Sequence, residues 1–599
     1  MTENYSAKAI NTIYDEREKF VIIGLTGRTG SGCTTLSKIL CTPTFEKLCL
    51  PEPQMATGNS SGERKYRISY KYAQKHWKPF MRISMTDIIF SFMLEKSFDE
   101  LMRLMKETLD ADCLDIIRRE LEKKEGLAEK YTALHEDMLK CLDERGSLRR
   151  LSDDPTDPDR YFALECDILE RISAIQEQFR GTMLEIPYKS GGSTANSFTY
   201  CLQHFGNRLR HHGDITENGT FTGEHMFALA RRANDFIKAV RRINIKEGRP
   251  TFICLDAIRN PYEATYFQDR YSAFFLIAVN TDDRDRKARL RKYNEEQIRA
   301  MDETEYPKKA KGSDIFTNQN IGACSQIADI YLYNPDTDKK GESGEIKLKK
   351  LAVKYVSLIM HPGLFTPTSV ERCMQAAYNA KLSSGCLSRQ VGAVITDADF
   401  SIKAIGWNSA AAGQPPCNLR MVTDYFNNSD NEAFSDYEKN DETFRGKLSQ
   451  KYGRLITDSE CLNGRLCSYC FKDEYAEITG QKNQVHTRSL HAEENAFLQI
   501  AKYGGEGIKG GKLFTSASSC VLCSKKAFQL GIKDIYYIDP YTDIAMSHII
   551  STGKKEDRPA LHLFYGVVGR AYTYLFTQRI AIKDELECLM RDTSEDNEK

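Results

Sequence analysis

The tightest constraint on what this chain can fold into is a set of four residues: His491 and Glu493, two apart, then Cys520 and Cys523. Two cysteines at i and i+3, at the start of a helix, can both reach one ion, and a helix N-terminus favours thiolates. A histidine from a second helix supplies a third donor and leaves one position open for water, the pattern of a catalytic rather than a structural zinc. Glu493 is predicted to lie within reach of that water without binding the metal, where it can carry protons. The surrounding pattern suits this. HAEENAFLQIAKYG (491–504) reads as a helix ending near Gly504, and KLFTSAS (512–518) as a strand. CVLCSKKAFQLG (520–531) reads as a helix stopped by Gly531, and IKDIYYID (532–539) as another strand. Alone, His-x-Glu is nearly uninformative, and Cys-x-x-Cys fits a redox or structural pair equally well. Together, on these elements, they predict Zn²⁺ held by His491, Cys520 and Cys523, with Glu493 catalytic.

A second motif lies at the other end. FVIIGL (20–25) is a compact apolar run, followed by Gly27-Arg-Thr-Gly30-Ser-Gly32-Cys33-Thr34 and then a helical pattern. This is the Walker A frame with Cys33 where lysine belongs. The backbone cradle of Gly27, Gly30 and Gly32 and the helix dipole survive that change, and Thr34 could still hold Mg²⁺. The point charge on the terminal phosphates is gone, so nucleotide binding is expected and efficient phosphoryl transfer is not. Asp256 ends the apolar run TFICLD and is the candidate acidic partner. The bland alternative is a glycine-rich turn with no phosphate role. Arg284, Arg286, Arg289 and Arg291 follow another apolar run and resemble the lid arginines of nucleotide kinases; a solvated helix face is the competing reading.

At 599 residues the chain exceeds one domain, taking roughly 100–200 residues per domain. The expected fold class is α/β: a parallel sheet with helical insertions over 1–345, an αβα domain over 346–590 and a flexible tail over 591–599. The polar segment NPDTDKKGESGE (334–345) is the expected linker, RLSDDPTDPD (150–159) an expected loop, and 423–458 an expected surface insertion. Lys and Arg number 84 and Asp and Glu 84, so no strong non-specific nucleic-acid binding is expected. No apolar run is long enough for a membrane helix, and the N-terminus is polar, so a cytoplasmic protein without membrane contact is expected. In such a compartment the 18 cysteines read as thiols and metal ligands rather than a disulfide scaffold. Cys461, Cys467 and Cys470 form one cluster, with Cys417 after a Pro-Pro turn and Cys386 in SSGC.

ERCMQAAYNAKLSSGCLSRQVGAVIT, AIGWN, HAEENA and SSCVLCSKKAFQLGIKDIYYIDPY resemble the deoxycytidylate deaminase family across most of 365–575. That resemblance implies a cytidine deaminase-like fold, with Glu493 as proton shuttle and Asn408 contacting the deoxynucleotide. Tyr541 resembles an aromatic position near the substrate; a core tyrosine at a strand end is the alternative. Ser519 departs from the proline that zinc deaminases carry before the first cysteine; it loses the pre-set turn and keeps a side chain able to cap the helix. Some relatives use cysteines near Cys386 and Cys417 for a structural zinc. A second Zn²⁺ on Cys417, Cys467 and Cys470, with Cys386 or Cys461 as fourth ligand, is therefore expected; free thiols are the alternative.

A P-loop kinase-like domain followed by such a deaminase is similar to the bacterial anti-phage dCTP deaminase family. This implies deamination of free deoxycytidine nucleotides, dCTP or dCMP, draining the pool during infection. It also implies a regulatory nucleotide at the P-loop and a homo-oligomer. The alternative within the same zinc chemistry is a polynucleotide cytosine or adenine deaminase, which neutral charge and the deoxycytidylate-like flanks disfavour. A scaffold with two decayed sites is disfavoured by the intact zinc constellation, and an active nucleotide kinase by Cys33.

Overall fold

The computed structural model describes residues 5–54, 60–150, 158–190, 193–216, 218–307, 310–337, 341–457, 462–481, 484–504, 507–539 and 546–590. Its contacts divide the chain into two units, Met1–Thr366 with Thr573–Lys599, and Pro367–Tyr572.

The first unit is built on five parallel strands: β1 (Phe20–Thr26), β2 (Met81–Ser84), β3 (Thr251–Asp256), β4 (Phe274–Asn280) and β5 (Ile330–Tyr333), in the order β5-β4-β1-β3-β2. All seven residues of β1 are buried. An unbroken apolar run of this kind is what a central strand covered on both faces requires. Between β2 and β3 the chain makes a series of helices, among them Leu127–Arg150, Pro158–Met183 and Ala228–Lys246. Pro158 opens its helix, a position where its missing N–H costs nothing. The loop expected at 150–159 lies mostly outside the described residues.

The division between the units falls at 366/367, later than the 345/346 boundary expected from composition. The polar segment at 334–345, of which 338–340 lie outside the described residues, runs into the helix Gly344–Met360. That helix buries Leu348, Val353, Tyr355, Leu358 and Ile359, and it packs on the helices Ser61–His76 and Cys33–Leu40. The segment from Thr573 groups with the first unit because its helix Ile582–Met590 packs on the helix Tyr5–Lys19. The expected tail, 591–599, lies outside the described residues.

The second unit is a mixed sheet of β6 (Gly392–Thr396), β7 (Ile402–Trp407), β8 (Lys512–Ala517), β9 (Asp534–Asp539) and β10 (Ala560–Leu563), in the order β10-β9-β8-β6-β7. β6 runs antiparallel to β7 and β8, while β8, β9 and β10 are parallel. Ala393, Ile395, Leu513 and Ile535 pack with Ala492, Ala496, Phe497 and Ala527 into one core. Gly406 makes this approach possible: a Cβ there would lie 2.3 Å from the Ala492 carbonyl oxygen and 2.5 Å from the Ala496 nitrogen.

The region expected as a surface insertion has a core of its own. Val422, Tyr425, Phe434, Phe444, Leu448 and Tyr469 cluster together. Arg420 and Glu438 form an ion pair at their centre, with side chains 0% and 1% exposed. The Tyr469 hydroxyl donates to Glu438 at 2.7 Å, and Arg420 Nε donates to the Ala433 carbonyl at 2.7 Å. The helices are short and each contributes one or two apolar residues, so no period shows along the chain.

Candidate metal centre and glycine-rich cradle

His491 stands at the N-cap of α2 (Ala492–Tyr503), following α1 (Cys33–Leu40) in our numbering, and Cys520 at the N-cap of α3 (Val521–Gln529). Cys523 lies in the first turn of α3. Both cysteines are therefore presented by the positive end of one helix dipole. Asn495 Nδ2 donates to the Trp407 carbonyl at 3.0 Å and ties α2 to the end of β7. Lys526 on α3 pairs with Glu494 on α2 and couples the two helices.

This brings His491 Nδ1 within 3.3 Å of Cys520 Sγ and 3.5 Å of Cys523 Sγ, and the three donor atoms all lie within 4.8 Å of one another. The hydrogen bond from Cys523 and the contact with His491 draw the Cys520 thiol down to about 4 against the opposing effect of burial. The same bond and burial hold the proton on Cys523, whose thiol is pushed well up. The pair thus shares one proton, and a bound cation would favour both as thiolates. A nitrogen and two sulfurs at this spacing fit zinc. Glu493 is 4% exposed, and burial above all raises its carboxyl, with its own N–H and His491 opposing. A buried carboxyl held up in this way can carry a proton.

The other predicted residues are placed as follows. Asn408 follows β7 and is buried, and its side chain serves the neighbouring loop. Its Oδ1 accepts from Val391 N–H at 2.7 Å, and its Nδ2 donates to the Arg389 carbonyl at 2.8 Å. Arg389 in turn pairs with Asp539 at 2.5 Å. Arg389 and Asp539 belong to no spaced motif: Arg389 precedes QVGAVIT and Asp539 is the last residue of IYYID. Tyr541 lies outside the described residues, as does Cys461. Among the described residues no second group of three donors is gathered. Cys417 is buried near Arg420 and Arg488, Cys467 donates to the Ser468 carbonyl, and Cys470 precedes the helix Phe471–Thr479 as its N-cap. Cys386, Cys417, Cys467 and Cys470 thus form no such group among the described residues, although Cys386 lies near enough to Cys417 to act on its thiol.

In the first unit, Gly27–Thr34 joins β1 to α1. Gly30 and Gly32 have φ of +87° and +111°. A Cβ on Gly32 would lie 2.1 Å from Asn334 Nδ2, which itself donates to the Ser31 carbonyl at 2.7 Å. The N–H groups of Gly32, Cys33 and Thr34 open α1, where no intrahelical partner exists. Burial, with Asp256 beside it, pushes the Cys33 thiol up to about 12, so it is neutral near pH 7. Asp256 accepts from Arg82 Nε at 2.9 Å on one oxygen, while the other is buried without a partner. Of the four expected lid arginines, two grip the loop's carbonyls. Arg286 Nε donates to Thr29 O at 2.7 Å, and Arg289 donates to Gly30 O and Ser31 O at 3.3 Å. Arg284 and Arg291 are exposed. A cavity of about 630 Å³ opens on the loop, lined also by Asp256, Arg82, Arg259, Glu305 and Gln319.

Residues 367–539 match the family described as "Cytidine and deoxycytidylate deaminase zinc-binding region". Over 54 residues the chain is 39% identical to ComE operon protein 2 of Bacillus subtilis (strain 168), spanning 9% of this chain and 28% of that protein. Over 172 residues it is 28% identical to the deoxycytidylate deaminases of Enterobacteria phages T2 and T4, spanning 28% of this chain and 78% and 76% of theirs. The crystal structure of the dCMP deaminase from cyanophage S-TIM5 in apo form aligns at 21% identity with a TM-score of 0.19, covering 33% of this chain and 100% of that one. The second unit therefore carries a cytidine and deoxycytidylate deaminase zinc-binding region.

Proposed function

We propose that this protein hydrolytically deaminates free deoxycytidine nucleotides, dCTP or dCMP, to the uracil nucleotide and ammonia. The observation that carries this reading is the convergence of His491, Cys520 and Cys523 around one point, beside a buried Glu493, inside the matched region. Zinc bound there would supply a Lewis acid able to generate hydroxide from water near neutral pH. The chain's own residues do the rest. His491, Cys520 and Cys523 hold the ion. Glu493 accepts a proton from the attacking water and delivers it to the pyrimidine N3, then takes the proton of the new C4 hydroxyl and passes it to the departing amino group. One C–N bond breaks, one C–O bond forms, and the carboxylate ends as it began. Asn408 shapes the 384–391 loop at the site and keeps one N–H donor for a nucleotide.

The first unit is read as a P-loop kinase-like regulatory domain. Support comes from the parallel sheet with its glycine-rich loop between β1 and α1, and from the unpartnered oxygen of Asp256, which suits the Mg²⁺ that accompanies a polyphosphate. Cys33 disfavours phosphoryl transfer. Depletion of deoxycytidine nucleotides in anti-phage defence, in the cytoplasm and as a homo-oligomer, completes the proposal; the similarity of its domain order to anti-phage deaminases supports it. The test is product analysis of purified protein with dCTP, dCMP and single-stranded DNA, each with and without ATP and GTP. Uracil formation in a free nucleotide is expected. Activity confined to DNA would replace this reading with polynucleotide deamination.

A further inference from the structure

The glycine-rich loop already has an anion on it. Thr29 N–H donates to both carboxylate oxygens of Glu305, at 3.2 and 3.1 Å, and Thr29 Oγ1 bonds the same group. Arg259 pairs with Glu305 from the other side and donates to Thr29 Oγ1 at 3.3 Å. A carboxylate bridging a loop N–H and a guanidinium receives the contacts that a phosphate receives in a P-loop. Its placement is costly: Glu305 is 1% exposed and is the last residue of the helix Glu295–Glu305, where the helix dipole disfavours an anion. Among the described residues, Arg259 and the loop compensate it.

Two further observations point to a ligand. Asp256 is 2% exposed and Gln319 8% exposed, and an oxygen of each lies buried without a hydrogen-bond partner on the wall of the same cavity. Arg259 lines that cavity together with Cys33, and its charge acts on the neutral Cys33 thiol.

We propose that Glu305 is a resident anion of the loop and that Arg259 is the cation the loop lacks at position 33, so that a nucleoside triphosphate binds by displacing the Glu305 carboxylate from Thr29 and Arg259. This rests on the reading of the first unit as a nucleotide domain and adds how its site is gated. With Glu305 displaced, Thr29 N–H, the opening N–H groups of α1 and the Arg259 guanidinium all face the phosphates. Asp256 and Gln319 supply acceptors for the accompanying cation and for donors on the ligand.

The experiment is calorimetric titration of the full-length protein with ATP, GTP and dCTP in the presence of Mg²⁺. Glu305→Gln is expected to tighten binding about tenfold or more, the scale of one charge-assisted contact. Adding Arg259→Met to that background should abolish the gain, and Arg259→Lys should keep most of it. Melting temperature and zinc content report whether each variant is folded. If Glu305→Gln does not fold, Glu305→Asp, with its carboxylate drawn back by one carbon, is expected to tighten binding in the same direction. Wild-type binding with unchanged or weaker affinity in the folded Glu305 variant overturns the gate alone, as does undiminished binding in Arg259→Met. Absence of binding in the wild type and in every variant overturns the nucleotide reading with it.

Discussion

At the scale of single residues, burial decides which groups can do chemistry. Glu493 is nearly enclosed, close enough to His491 and Cys520 to feel their charge. Glu493→Gln should retain zinc and lose turnover by about 10²–10⁴, the usual range for a lost general acid–base group. Zinc analysis and product formation on the same sample check this. Asp87 shows the opposite use of burial. It is 3% exposed, its Oδ1 has no partner, and burial raises its carboxyl from 3.8 to about 6, with Arg82 opposing. The folded state thus holds the proton more tightly than the unfolded one between these values. Its contribution to stability is present below about pH 4 and lost as pH rises through 6. Asp87→Asn should remove that loss, so its stability advantage over the wild type grows between pH 4.5 and 7. Urea midpoints at the two pH values measure it, and a constant difference would contradict it. His491, Glu493 and Cys33 were legible in the sequence because each belongs to a spaced motif. Arg259 and Glu305 were not, since nothing along the chain relates positions 29, 259 and 305.

At the scale of elements, the strands and helices that carry the metal centre were legible, because HAEENAFLQIAKYG and CVLCSKKAFQLG have helical period and glycine stops. The structure assigns them to Ala492–Tyr503 and Val521–Gln529. The insertion was not legible as a packed body, since its core is drawn from several short helices around one buried ion pair. Removing one partner there leaves the other charge buried and uncompensated. Arg420→Met should accordingly destabilise the insertion by about 3–5 kcal/mol. Limited proteolysis between 420 and 480 and denaturant unfolding report it, and a cut rate equal to the wild type would count against it.

At the scale of the whole molecule, no described helix is long and apolar enough to cross a membrane. Each of the two units has its own sheet and its own site residues. One gathered donor group among the described residues predicts one zinc per chain. Elemental analysis should give that ratio in the wild type and in Cys467→Ser/Cys470→Ser, and none in Cys520→Ser/Cys523→Ser. Because binding of an ion to the folded state alone stabilises it, chelation should also lower the melting temperature of the wild type and not of the Cys520→Ser/Cys523→Ser protein. A second zinc lost with Cys467 and Cys470 would restore the site that the described cysteines do not form.

What the sequence determined by itself is what short-range physics writes into it. The spacing of His491, Glu493, Cys520 and Cys523 places donors at two helix starts, and FVIIGLTGRTGSG places a glycine-rich turn between a buried strand and a helix. Hydrophobic period, capping and positive-φ glycines act over a few residues, so they can be read without a fold. Only the tertiary structure decided that Asn408 holds the 384–391 loop, that Gly344–Met360 belongs to the first unit, and that a carboxylate from position 305 lies on the loop at position 29. Each of these depends on which distant groups share a buried space, where unpaired charge is costly and partners come from any part of the chain.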